Sequence, residues 1–321
     1  VTYLLYGATL GFTWFLVLNL TLSLASAAAA PWTGRWLSNA GASARARALL
    51  ALRLAPAAVS VAFVAGVFLP SFLRLEPRNF DEAFGVTTTT FAAASLALVV
   101  AALWRGAAAL AEAARHTRRW LRSAVAIGLP QSPVPAFCVD LDAPAMTLVG
   151  VFRPKLLVTR SVLELLSPEE LSAAIEHEAG HRRAWDNLKR LIMRATPDAL
   201  SVLPACRRLE HEWALAAEQA ADAHAAHDAS CGVALASALV KVARLTPASN
   251  QALVSPLVGG EAIALRVSQL LNPPARRARS IAGDAAMIGL AMAGIALVVV
   301  RYGPLLETVH DISEVVVRVL P

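Results

Sequence analysis

Charge is missing from this sequence over long stretches. No charged residue occurs before Arg35, and Leu54 to Leu73, Ala83 to Trp104 and Ala285 to Val300 also carry none. Only 16% of the 321 residues are charged while 57% are hydrophobic, and the mean hydropathy is +0.55. That balance excludes an ordinary soluble domain. Cysteine is scarce too. Cys138, Cys206 and Cys231 form no C-x-x-C pair and read as small buried residues, not as ligands. Aromatics make up 6% of the chain and do not interleave with the basic clusters, so the net charge of +6 is a weak signature for nucleic acid.

A helix needs about 20 apolar residues to cross a bilayer. Three of the uncharged stretches qualify as spans, at about 3–30, 53–75 and 84–106. The fourth qualifies when extended from Ile281 to Tyr302, with Asp284 and Arg301 at the interfaces. "ASAAAAPW" offers a cleavage site for a signal peptide, but no basic stretch precedes the first span, so a retained helix is the better reading. The basic residues report topology. Arg35, Arg45, Arg47 and Arg53 follow the first span; Arg115, Arg118, Arg119 and Arg122 follow the third; Arg276, Arg277 and Arg279 precede the fourth. The short loop from Arg74 to Glu82 and the tail after the fourth span are the more acidic ones. By the positive-inside rule both termini lie outside and the segment from about Leu110 to Ser280 is cytoplasmic. The expected architecture is a mainly α, polytopic membrane protein with about four transmembrane helices and a cytoplasmic α+β domain. Its parts are residues 1–112, 113–280 and 281–321.

The cytoplasmic segment opens on a proline-rich region with three short β-prone runs, Ala136 to Asp140, Met146 to Gly150 and Lys155 to Thr159. Their close spacing predicts a meander beside a helical domain. Ser167 is then placed as an N-cap, Pro168 as the first helical residue and Glu170 as its capping-box partner, which predicts a helix from Pro168 to about Met193. Leu191 to Pro204 is too short and interrupted to span and reads as an amphipathic piece. Further helices are expected over roughly Cys206 to His227 and over "ASCGVALASALVKVARL".

The first of these helices carries His177-Glu178-Ala179-Gly180-His181. Histidines at i and i+4 share one face, so both imidazoles can reach one ion. Glu178 points about 100° away and can reach a water on that ion without being a ligand. The expected number of H-E-x-x-H strings at this composition is roughly 0.007, so chance is a poor explanation. Ala184 and Asn187 replace the Gly and His of a metzincin, which excludes that class. Downstream, Glu218 offers a third ligand, and Asp222, one turn on, can accept the free ring N–H of a ligand histidine. Glu210, His211 and Glu212 are rivals for the third position, but none has a carboxylate four residues on. Three protein ligands leave a fourth position for water, the arrangement of catalytic zinc. His224, His227 or a nearby arginine could assist at the oxyanion.

These motifs, with "RPKLLVTRSVLELLSPEEL" before them and "EAIALRVSQLLNPPARR" after, resemble the BlaR/MecR-type integral-membrane zinc metallopeptidases, which are gluzincins (H-E-x-x-H plus E-x-x-x-D). The resemblance implies one Zn²⁺ held by His177, His181 and Glu218, with Glu178 as catalytic base. It also implies that "GVFRPKLLVT", with Gly150, Val151 and Phe152, is the strand on which an extended substrate adds. The antibiotic-sensing members carry a penicillin-binding domain after the last helix, which this sequence lacks, so β-lactam recognition is not inherited. The expected activity is zinc-dependent endopeptidase action on a cytoplasmic protein such as a transcriptional repressor, or on itself. The alternatives are quality control of membrane proteins, as in the HtpX-like peptidases, and a non-catalytic zinc-containing signal transducer.

Overall fold

The computed structural model describes residues 3–37, 40–78, 85–140, 144–198, 204–245, 260–272 and 300–319. Most of these residues are helical. Three helices among them are long and apolar enough to cross a membrane. Helix α1 is Tyr3–Ala29. Helix α2 begins as Ala42–Phe63, passes through a π turn at Val64–Phe68 and ends as Leu69–Leu75; α3 is Val86–Leu121. The third apolar stretch is thus the first half of a much longer helix, which runs through position 112 without a break. The expected fourth span, 281–302, lies almost wholly outside the described residues.

Prolines inside α2 are tolerated because other helices satisfy the backbone that they strand. Pro56 has no N–H for the Leu52 carbonyl, and the Ser26 hydroxyl approaches that carbonyl at 3.5 Å. Pro70 likewise has none for Gly66, and the Tyr302 hydroxyl donates to the Gly66 carbonyl at 2.6 Å. Along α3 the buried positions Thr88, Ser95, Ala102 and Gly106 are all small, which lets neighbouring helices approach closely. At Gly106 an added Cβ would stand 2.6 Å from that of Ala195.

The first half of α2 packs on a later helix, α7, Pro204–Ala225. Between them lies a polar knot in which Arg53 and Asp198 are each 3% exposed. The Arg53 guanidinium donates to Asp198 at 2.9 Å and to Glu210 at 2.9 Å. Ser23 of α1 donates to the other Asp198 oxygen at 3.0 Å, and Asn19 donates to the Pro197 carbonyl at 3.0 Å. The polar start of α2 is engaged by α7 as well, where Arg45 donates to the Gln219 side-chain oxygen at 2.9 Å. Removing one partner of the Arg53–Asp198 pair strands a buried charge, at a cost of about 3–5 kcal/mol. Asp198→Ala should therefore lower the thermal midpoint of the detergent-solubilised protein by several degrees, while Glu210→Ala, at the exposed side of the knot, should cost much less.

Between α3 and α7 stands a small sheet with strands β1 Val125–Ile127, β2 Ala136–Val139, β3 Met146–Val149 and β4 Lys155–Thr159. Its order is β1-β2-β4-β3, with β4 parallel to β2 and antiparallel to β3. The expected meander is thus corrected. β4 has four consecutive buried residues, the pattern of an interior strand, and it inserts between the two strands that precede it. The β3–β4 turn is closed by Gly150 at φ 92°, where a side chain would be strained and would also crowd the Arg153 carbonyl, 3.1 Å from an added Cβ. β3 is left as an edge.

After α4 (Arg160–Leu165) comes α5, Pro168–Ala184. Ser167 caps it, and the reciprocal bond from Glu170 completes the box. The expected helix to Met193 is interrupted at Trp185, which takes the left-handed conformation at φ 58°. The chain resumes as α6, Asp186–Ala195. Helices α8 (Ala229–Leu245), α9 (Gly260–Leu271) and α10 (Tyr302–Val319) follow, and a short helical turn at Ala30–Trp32 and Thr33–Trp36 continues α1. Cys138 is buried as expected, whereas Cys231, in the first turn of α8, is partly exposed; the Cys206 side chain is outside the described residues.

Glu170 also joins α5 to α8, accepting from Ser237 at 2.6 Å and from Lys241 at 2.8 Å. Burial opposes its ionisation, but the bonds from Lys241, Ser237 and the Ser167 N–H outweigh it and hold the carboxyl below its ordinary value. A depressed carboxyl stabilises the fold above its unfolded pKa, and the effect is lost as pH falls through the folded one. Glu170→Gln should therefore cost about 1–2 kcal/mol at pH 7. In paired thermal melts, that gap should close below a pH of about 4.5.

Candidate metal centre

Helix α5 supplies His177 and His181 from one face, and α7 crosses it closely enough to bring Glu218 opposite both. Gly180 permits the approach: an added Cβ would meet the Ala221 backbone at 3.0 Å and the Cβ atoms of Ala221 and His224 at 3.3 Å. The His177 Nε2 is 3.6 Å from one Glu218 oxygen, and the His181 Nε2 is 3.5 Å from the other. The two rings stand nearly perpendicular, with centroids 4.8 Å apart.

Each imidazole is oriented from behind. His177 Nδ1 lies 2.9 Å from Asp222 of α7, and His181 Nδ1 lies 2.8 Å from Asp186 at the start of α6. Both carboxylates are buried. His181 Nδ1 is hydrogen-bonded to Asp186, whereas His177 Nδ1 lies at ion-pair distance from Asp222 without hydrogen-bond geometry. Both Nε2 atoms face Glu218, as ligand histidines do when their other nitrogen meets a carboxylate. The left-handed Trp185 matters here, because a continuous helix would not present Asp186 to His181 in this way. Asp222 was expected behind a histidine; Asp186 was not, although a carboxylate five residues after the second histidine stood in the sequence.

Arg266 of α9 grips the same cluster. Its guanidinium donates two hydrogen bonds of 2.7 Å to Asp222 and approaches Glu218 at 3.3 Å. No local pattern distinguishes this arginine, since its partners lie about forty residues away in sequence. Arg190 approaches Glu218 at 3.9 Å from a half-exposed position. The rivals for the third position are engaged elsewhere. Glu210 binds Arg53, Glu212 accepts from Thr33 and Arg208, and His211 is exposed. His224 pairs with Glu176 at 3.8 Å, and His227 sits with Asp228 and Cys231.

Glu178 faces the edge of the sheet. The Leu148 N–H of β3 donates to its carboxylate at 3.0 Å, and the Asn187 amide donates to the carbonyls of Leu148 and Gly150 at 3.2 and 2.9 Å. Gly150, Val151 and Phe152 themselves form the turn after β3, with Phe152 exposed. The strand beside Glu178 is Met146–Val149, and "KLLVT" lies one strand further in.

The electrostatics suit a cation. Burial works against the charge on Glu218, but His177, His181 and Arg266 outweigh it and hold the carboxyl well below its usual range. Burial likewise disfavours the imidazolium at His181, yet Asp186 and Glu218 push its pKa up to about 10, and Asp222 and Glu218 raise that of His177. Burial disfavours the charged form of Glu178 and pushes its carboxyl up.

The donor set fits a metal. One atom from each of His177, His181 and Glu218 falls within 4.8 Å of the others. Separations of 3.5–3.6 Å are long for hydrogen bonds but close to the spacing of about 3.3 Å between ligands of one tetrahedral ion with bonds of about 2.05 Å. Two such histidines with an opposing glutamate, and Glu178 beside them, make a candidate metal centre of zincin type. Residues 110–214 match Peptidase family M48, a match that covers about a third of the chain, includes the H-E-x-x-H helix and ends just before Glu218. It supports a metallopeptidase of zincin type, of a family that typically uses a metal, usually zinc. No curated protein matches the chain.

Proposed function

We propose that the protein is a membrane-embedded zinc endopeptidase of BlaR/MecR-type architecture that cleaves a cytoplasmic protein, such as a repressor, or itself. The observation that carries this reading is the division of roles around His177 and His181. Glu218 completes a three-ligand set, while Glu178 stands outside it with its carboxylate on the edge strand.

His177, His181 and Glu218 would hold one Zn²⁺, with Asp222 and Asp186 fixing the ring tautomers and Arg266 fixing Asp222 and Glu218. Bound zinc would lower the pKa of a water to about 7 and polarise the scissile carbonyl. An extended substrate would lie along β3, whose Met146 and Leu148 turn their backbone groups outward, with the Gly150–Phe152 turn at one end. It would displace Glu178 and Asn187 from the Leu148 N–H and carbonyl. Glu178 takes the proton from the attacking water and passes it to the departing amine. Arg190 offers a second donor for the developing oxyanion. The distribution of arginines supports a cytoplasmic placement for this centre.

Comparison of new protein N-termini in cells that express the wild type or Glu178→Gln tests this reading. A few discrete cleavages in cytoplasmic protein, absent with Glu178→Gln, are expected. Cleavage spread over many membrane proteins would favour quality control, and identical N-termini in both would contradict a peptidase.

A further inference from the structure

A second group of metal-ligating side chains lies at the far end of α2, away from the centre on α5 and α7. Glu76 directly follows α2, and His310 and Glu314 sit on α10. One ligand atom from each lies within 4.8 Å of the others. His310 and Glu314 are at i and i+4, so they share one face of α10. Glu76 reaches them from a different helix with a side chain only 7% exposed, and its carboxylate is 3.5 Å from His310 Nδ1. That is again longer than a hydrogen bond and close to a ligand-to-ligand distance.

The surroundings hold the three residues in register. Beneath them, Tyr6, Leu10, Phe68, Phe72 and Val309 form one apolar cluster. Tyr302 donates to Gly66, Ser71 to the Leu306 carbonyl at 2.6 Å, and Trp14 to Ser313 at 3.1 Å. These bonds fix α10 on the ends of α1 and α2 independently of any ion. The carboxylates of Glu76 and Glu314 converge beside the His310 imidazole. Glu307 and Asp311 on the same helix add negative charge, while Arg318 meets Glu314 from an exposed position at 2.9 Å. One nitrogen and two carboxylate ligands suit a divalent first-row metal.

We infer that Glu76, His310 and Glu314 form a second metal site, for a divalent first-row cation such as Zn²⁺, that clasps α10 to the outer end of the membrane bundle. It stands apart from the proposed catalytic metal and does not depend on it.

The test uses the full chain in detergent, stripped by chelator and titrated with zinc alone. The wild type should bind about two ions per chain, His177→Ala/His181→Ala about one, and His310→Ala about one. In the His177→Ala/His181→Ala background, zinc should raise the thermal midpoint, and adding Glu314→Gln should abolish that rise. Retention of about two ions by folded His310→Ala, or no zinc-dependent rise in that background, would overturn the inference. Loss of the catalytic ion alone would leave it standing.

Discussion

Glu178→Gln should lower kcat for peptide cleavage by about 10³-fold or more, equivalent to ~4 kcal/mol of transition-state stabilisation, while zinc content and KM stay close to wild type. The glutamine keeps the size of the side chain and can still accept from the Leu148 N–H, so the edge strand should stay in place. What it loses is the ability to take a proton. Burial raises the pKa of the native Glu178 carboxyl, whereas an amide at that position has no titration at all. Steady-state kinetics beside a metal assay would separate this outcome from a structural one. Parallel losses of zinc and activity would mean that Glu178 is a ligand or that the variant misfolds.

The second large effect concerns metal affinity. Glu218→Ala removes the proposed third ligand, and zinc should then be lost from this centre on dialysis, with activity undetectable. Arg266→Ala removes no ligand. It releases Asp222 and with it the anchor of His177, and the expected loss of affinity is about 10–100-fold. Arg266→Lys should recover little, because one ammonium cannot replace two parallel bonds to one carboxylate. Competition against a zinc-binding dye would measure both variants. Zinc binding should also release protons, since the carboxylates around His177 and His181 draw protons onto rings that must be neutral to bind metal. Affinity should rise with pH for that reason.

The convergence of His177 and His181 was legible in the sequence because their relation is local. The i,i+4 spacing on a well-capped helix already sets both rings on one face, and Glu218 followed by Asp222 repeats the logic on α7. What escaped local reading depends on distant parts meeting. β4 follows β3 in the chain but lies between β3 and β2, and nothing in short apolar runs encodes that order. Trp185 gives no composition signal for a left-handed residue, yet that single turn directs Asp186 at His181. Arg266 sits in an ordinary amphipathic helix and gains its role only because α9 packs against α7. The apolar lengths of the first three long helices were plain, whereas the polar start of α2 is explained only by distant partners, with Arg45 bonding Gln219 and Arg53 meeting Asp198 and Glu210.

The most direct test of the central claim is X-ray absorption at the zinc edge on the His310→Ala chain loaded with about one zinc ion. The account predicts a shell of nitrogen and oxygen at about 2.0–2.1 Å with imidazole scattering from two histidines, lost in Glu218→Ala and preserved in Glu178→Gln. Sulfur at about 2.3 Å, or a shell that Glu178→Gln disrupts while Glu218→Ala does not, would contradict it.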